Sequence, residues 1–95
     1  MLYRSRYLKD VEESVRILSP ETKTIIRACL DALRENPGIG TPLSNELTGW
    51  WRFRAKRYRI IYKVDDKIKE VSVLIIDKRE TVYQRVYQMI MNKKK

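Results

Sequence analysis

The apolar positions of this chain change their spacing as it proceeds, and each change marks an element. From Lys9 to Leu18, Val11, Val15 and Leu18 recur at helical spacing, with Asp10, Glu12, Glu13 and Arg16 on the other faces. Ser19-Pro20-Glu21 then reads as a second helix start. The serine caps, the proline suits the first helical position, and the acid sits near the positive end of the dipole. Ile25, Ile26, Cys29, Leu30 and Leu33 form one apolar stripe, which Asn36-Pro37-Gly38 ends. Before these helices, Leu2 to Tyr7 predicts a short strand. After them, Pro37 to Gly49 holds all three glycines and two of the three prolines, so it predicts a connection.

The spacing then shortens to two. Leu47 to Val64, LTGWWRFRAKRYRIIYKV, alternates apolar and polar residues and is rich in aromatic and β-branched types. It breaks at Ala55-Lys56-Arg57, which predicts two strands and a tight connection. Asp65-Asp66-Lys67 marks a second turn. Glu70 to Ile76 predicts a strand with Val71, Val73 and Ile75 on one face and Leu74 and Ile76 on the other, hence covered on both. Glu80 to Met91 predicts a last helix, with Val82, Val86, Met89 and Ile90 on one side, and Asn92–Lys95 a frayed basic tail. The expected fold is α+β: a small antiparallel sheet, an N-terminal helical hairpin packed on it and a short C-terminal helix. Ninety-five residues leave room for one core, so residues 1–95 are expected to form a single domain.

Charge sharpens this picture. The chain carries a formal charge of +9, and six of the eighteen residues from Leu47 to Val64 are basic while none is acidic. Arg52, Arg54, Lys56, Arg57, Arg59 and Lys63 are threaded among Trp50, Trp51, Phe53, Tyr58 and Tyr62. A basic, aromatic hairpin is the electrostatic footprint of a surface for polyanions. Trp51, in phase with Phe53, is assigned to the core, as is Cys29 on its helical stripe.

The chain has no histidine and one cysteine, so a Ser-His-Asp or Cys-His arrangement is excluded, and no metal or cofactor is expected. Acid–base chemistry would have to run on Tyr, Lys, Asp or Glu. Apolar runs are only a few residues long, and the first residues lack a secretory apolar stretch. With a lone Cys29 these features make the cytoplasm the expected location and a membrane an unexpected partner.

Three pieces, in order, carry a resemblance: Leu47-Thr48-Gly49, Tyr58-Arg59-Ile60-Ile61-Tyr62, and Lys78-Arg79-Glu80 with Val82-Tyr83. The run from Pro37 to Tyr83 resembles the RelE/ParE superfamily of toxins, most nearly its RelE branch of mRNA interferases. The resemblance implies a ribosome-dependent endoribonuclease that cuts mRNA in the ribosomal A site. It also implies a small neutralising antitoxin, mostly acidic to complement the +9 charge, seated on the sheet or terminal helix.

By the same resemblance Arg52, Arg54, Arg59, Arg79 and Tyr83 are the catalytic set, with Lys56, Arg57, Lys63 and Lys78 holding RNA. Cleavage by the 2′-OH needs that hydroxyl deprotonated, the phosphorane-like charge stabilised and the 5′-oxygen protonated. Guanidinium forks suit the second task, and a tyrosine can stack on a base or pass a proton. Some relatives have lysine where this chain has Arg52 and Arg54, and many have histidine in place of Lys78. The general base is thus open between Tyr83 and Lys56; Glu46 and Glu80 are disfavoured by their charge near phosphate. Two alternatives share the fold: a ParE-like gyrase inhibitor and a degenerate homologue that only binds antitoxin.

Overall fold

A computed structural model describes residues 2–93. Strand β1 (Arg4–Tyr7) leads into helices α1 (Val11–Arg16) and α2 (Pro20–Glu35). Strands β2 (Thr41–Pro42), β3 (Trp51–Ala55), β4 (Tyr58–Asp65) and β5 (Glu70–Lys78) follow, and helix α3 (Val82–Lys93) closes the chain. The strands form one sheet in the order β1-β5-β4-β3-β2.

The fold is the expected α+β arrangement, with one refinement. The sheet is mixed, because β1 lies parallel to β5 (Ser5 beside Val71, Tyr7 beside Val73) while the other pairs are antiparallel. Alternation reports that a segment is extended, not which way its neighbour runs.

The helical boundaries follow from where backbone donors go. Leu8 N–H still bonds Val73 O at 3.1 Å, so the chain stays attached to the sheet past the end of β1 and α1 starts only at Val11, two residues later than the periodicity predicts. Ser19 caps α2 as predicted: its Oγ accepts from Thr22 N–H at 3.3 Å, and Pro20 occupies the first position. Asn36 ends the helix and turns its Oδ1 to Gly38 N–H. At the other end of the chain, Asp77 and Lys78 finish β5, and Arg85 N–H to Thr81 O at 3.2 Å is the first backbone bond leading into α3. The helix therefore begins at Val82, not Glu80, and continues into the predicted tail as far as Lys93. The last two residues of that tail lie outside the described residues.

The glycine- and proline-rich connection contains an unpredicted strand. Thr41 and Pro42 pair with Arg52 and Trp51, and Pro42 leaves that edge without a full row of donors. Gly40 just before it is the most crowded of the three glycines: a Cβ there would fall 2.2 Å from Tyr62 Oη and 2.6 Å from Arg52 O. Tyr62 is fully buried, and its hydroxyl donates to Pro37 O at 2.7 Å. Burial pushes that phenol up to about 12.

The two faces of the sheet carry separate apolar clusters. Val11 of α1 and Ile26 and Leu33 of α2 pack on Ala55, Ile60, Tyr62, Val71, Val73 and Ile76. Val82 and Val86 of α3 pack on Ile61, Leu74, Ile75 and Leu47 on the opposite face. Leu74 and Ile75 are consecutive yet share a face, which strict alternation forbids. The register explains it: Ile61 pairs with Ile75 and Tyr62 with Val73, so Leu74 is an extra residue in β5. The bulge corrects the predicted facing of β5, placing Val71, Val73 and Ile76 under the helical hairpin and Leu74 and Ile75 under α3.

Candidate nucleic-acid interface

On β3, Trp51, Phe53 and Ala55 point to the helical hairpin, so Arg52 and Arg54 point to the face that α3 partly covers. Trp51 stacks on Tyr62 with ring centroids 6.2 Å apart, in keeping with its assignment to the core. On β4, Ile60 and Tyr62 take the hairpin face, which turns Arg59, Ile61 and Lys63 to the α3 face. Cross-strand pairing arranges these residues in rows: Arg52 beside Ile61 and Ile75, then Arg54 beside Arg59 and Asp77.

Four arginines meet this face from three directions, but each is held differently. Arg52 Nη1 donates to Tyr83 Oη at 2.9 Å, linking β3 to the first turn of α3 across 31 residues of sequence. Arg59 bends toward the hairpin tip, donating through Nη1 to Lys56 O at 2.9 Å and Tyr58 O at 2.8 Å. Arg54 stands directly opposite Arg59 and is exposed. Like charges in that position repel unless an anion lies between them. Arg79, beyond β5, bonds Arg57 O through its backbone N–H at 2.9 Å, which brings the entrance of α3 to the hairpin tip. Its guanidinium donates to Glu80 Oε1 at 3.0 Å, and that contact draws the Glu80 carboxyl below its ordinary range. The pair is exposed and therefore weak enough for a phosphate to replace the carboxylate.

Among the described residues, ion pairs join Arg16 to Glu13, Arg79 to Glu80 and Arg85 to Asp77. Arg52, Arg54 and Arg59 are in none of them. Arg52 is partnered by a phenol oxygen and Arg59 by peptide carbonyls, which leave the positive charge uncompensated and ready for an anion. A shallow groove of about 270 Å³ lies beside Arg52 and Arg54, walled by Ile39, Gly40 and Thr41.

The predicted RNA-holding residues are less concentrated. Lys56 and Arg57 form the exposed tip of the β3–β4 hairpin, Lys56 with a left-handed φ of 60°. Lys63 is on the arginine face, its Nζ 4.1 Å from the centre of the Trp50 ring, so this tryptophan carries a cation while it packs against the cluster under α3. Lys78 pairs with Tyr58 at the end of the sheet, and alternation from Ile76 turns it toward the helical hairpin. Among the described residues, no group of three or more carboxylates or thiols is gathered as a metal site would need. No described helix is long and apolar enough to cross a membrane.

Sequence reasoning missed Asp77. It accepts from Thr81 Oγ1 at 2.6 Å, forms an ion pair with Arg85 at 3.5 Å, and is the acid of the Arg54–Arg59 row. Its signal was present: an acid inside a basic turn, four residues before a threonine and eight before an arginine. Tyr87, whose hydroxyl lies 3.4 Å from Glu46 Oε2, was also passed over; that contact brings the Asn45–Leu47 turn to α3.

Known proteins share both this sequence and this fold. The sequence pattern of the family described as ParE toxin of type II toxin–antitoxin system, parDE, matches residues 2–83. Toxin RelG of Mycobacterium tuberculosis is 38% identical over 87 residues, which is 90% of this chain and 100% of that one. A chain of the M. tuberculosis toxin–antitoxin complex RelBE2 superimposes with a TM-score of 0.73 at 27% identity, over 83% of this chain and 100% of that one. A chain of the archaeal RelE–RelB complex from Pyrococcus horikoshii gives 0.68 at 26% identity, over 83% and 97%. The isolated Escherichia coli RelE toxin shares the fold, with a TM-score of 0.69 at 20% identity over 93% and 98%. With the family pattern spanning most of its length and the same sheet and helices recurring in these structures, the chain belongs to the RelE/ParE superfamily and is a toxin of a type II toxin–antitoxin system.

Proposed function

We propose that this toxin is an endoribonuclease that cuts ribosome-bound mRNA through the RNA's own 2′-hydroxyl. The observation that carries the reading is the Arg52–Tyr83 hydrogen bond at 2.9 Å, which sets a phenol beside a guanidinium on an otherwise uncompensated basic face. In the reaction the 2′-oxygen loses its proton and attacks phosphorus in line with the departing 5′-oxygen. A cyclic phosphate forms, the P–O5′ bond breaks, and the 5′-oxygen takes up a proton. Arg52 and Arg54, with Arg59 and Arg79 at the hairpin end, supply the fixed charge for the equatorial oxygens. Tyr83 stacks on a base or moves the proton at its Oη, which accepts a hydrogen bond from Arg52. Lys56 at the tip is the second candidate for proton removal, since a lysine can be tuned to that role and an arginine cannot.

The toxin's partner is its cognate antitoxin. The RelBE2 and archaeal RelE–RelB neighbours are toxin–antitoxin complexes, and the charge of +9 favours an acidic segment. The cytoplasm, where mRNA and ribosomes are found, is the matching location.

Primer extension on cellular mRNA after induction is the direct test. Codon-phased cuts are expected for the wild type, with growth arrest, and neither is expected for Arg79→Ala or Tyr83→Phe. Unchanged cutting by both variants would refute the site assignment, and no cutting by the wild type would refute the activity. The ParE description of the matching family keeps one other reading, inhibition of DNA gyrase. Under that reading induction halts DNA replication before protein synthesis and leaves mRNA intact.

A further inference from the structure

We infer that Asp77 is a positioning residue: its carboxylate fixes the turn that carries Tyr83, so that the phenol meets the Arg52 guanidinium. Asp77 stands opposite Arg59 at the end of the Arg54–Arg59 row, where an acid would be expected to neutralise its neighbour. It does not. Arg59 is committed to the carbonyls of Lys56 and Tyr58, and Asp77 turns to the start of α3.

There Oδ2 accepts from Thr81 Oγ1 at 2.6 Å and lies 3.5 Å from Arg85 Nη1. The Asp77 side chain is only 16% exposed, while Thr81 and Arg85 reach it from the surface. Thr81 and Arg85 lie two residues to either side of Tyr83, and the bond from Arg85 N–H to Thr81 O closes the same turn. One carboxylate therefore grips both ends of the segment that presents the phenol.

Apolar packing does not replace this grip. Val82 and Val86 hold α3 to Leu74 and Ile75, but hydrophobic contact is non-directional and tolerates a slide or rotation. A hydrogen bond of 2.9 Å does not, since about half an ångström more puts it outside good geometry. Misplacing a catalytic group by roughly 1 Å can cost about a hundredfold in rate. Asp77 also suits its place electrostatically, because a carboxylate at the start of a helix faces the positive end of the dipole.

The positional claim stands apart from the proposed reaction, and only its consequence for rate rests on that reading. The test is NMR of the isolated toxin, following the nuclear Overhauser contact between the Tyr83 ring and the Arg52 side chain. In Asp77→Ala the contact should fall severalfold while the Val86 methyls keep their native packing. A contact of wild-type strength would overturn the inference. If Asp77→Ala does not fold, Thr81→Val carries the same test, because it removes the 2.6 Å bond and keeps the pairing with Arg85.

Cleavage of ribosome-bound mRNA is the second readout. It should drop about 10- to 100-fold in Asp77→Ala. Asp77→Asn, which still offers Thr81 an acceptor, should restore most of it. Cleavage by Asp77→Ala at the wild-type rate would overturn the inference. A wild type that cuts no RNA would refute the proposed reaction and leave the NMR result to decide the role of Asp77.

Discussion

Replacing Gly40 with alanine opposes two effects of different origin, so the sign of the result is informative. Gly40 has φ −81° and ψ −172°, extended backbone open to any residue. On backbone grounds alone, alanine should stabilise the protein by about 0.4–1 kcal/mol, because it restricts the unfolded chain. The folded state opposes it. The new Cβ would meet Tyr62 Oη at 2.2 Å and Arg52 O at 2.6 Å. The first is the end of a fully buried side chain whose hydroxyl already donates to Pro37 O, and the second is the backbone of a paired strand. Neither can yield freely, and overpacking of this kind costs about 1–3 kcal/mol. The collision should win by about 1–2 kcal/mol, a fall in Tm of roughly 4–16 °C for a domain of this size.

Tyr62→Phe separates the two collisions. Alone it strands the Pro37 carbonyl and should cost about 1–3 kcal/mol. Combined with Gly40→Ala it should cost less than the sum, since the alanine would already have displaced the hydroxyl. Urea denaturation of the four proteins measures the cycle. Gly40→Ala as stable as the wild type, or more so, would refute the packing argument. A strictly additive pair would refute the placement of Gly40 against Tyr62.

Three other expectations follow from single features. Tyr62 has its phenol raised to about 12 by burial, so between pH 10 and 12 the unfolded state sheds a proton that the folded state keeps. Stability contributed by the neutral phenol, full below pH 10, should decline by up to about 2–3 kcal/mol across that window; pH-dependent urea midpoints check it, and a Tyr62→Phe protein with the same decline would refute it. Lys56→Gly relieves the left-handed backbone at the hairpin tip and should gain up to about 1 kcal/mol, a loss being the contrary result. Arg54→Ala should lower the slope of log K against log salt for single-stranded RNA by about 0.7, while Lys23→Ala, on the helical-hairpin face, should leave it unchanged. Equal slopes for the two variants would locate the RNA elsewhere.

The sequence exposes the arginine face because its period is two. Trp51 and Phe53 are core-forming, so Arg52 and Arg54 must point away from them, and no structure is needed to see it. The facing of β5 is a different matter. Leu74, Ile75 and Ile76 are all apolar and all buried, so the strand satisfies both faces with or without a bulge, and hydrophobicity cannot choose the register. The bulge was settled by pairing with β4, a tertiary fact. Strand β2 was invisible for a simpler reason: two exposed residues contain no periodicity at all.

The same distinction governs the site. Charge is written locally, and a basic run without an acid is plain in the sequence. Whether a given charge is available is decided by partners far along the chain, and three examples differ. Arg52 finds Tyr83 thirty-one residues away, Arg59 finds carbonyls next to itself, and Asp77 ignores the opposed arginine for a threonine in the next turn. Composition would have cancelled Asp77 against Arg59 and counted the row as weaker by one charge. The geometry instead spends that acid on holding α3, which leaves Arg54 and Arg59 facing each other without a counter-ion. An anion seated between them relieves the repulsion, so the strength of this face for phosphate depends on where Asp77 points as much as on how many arginines it carries.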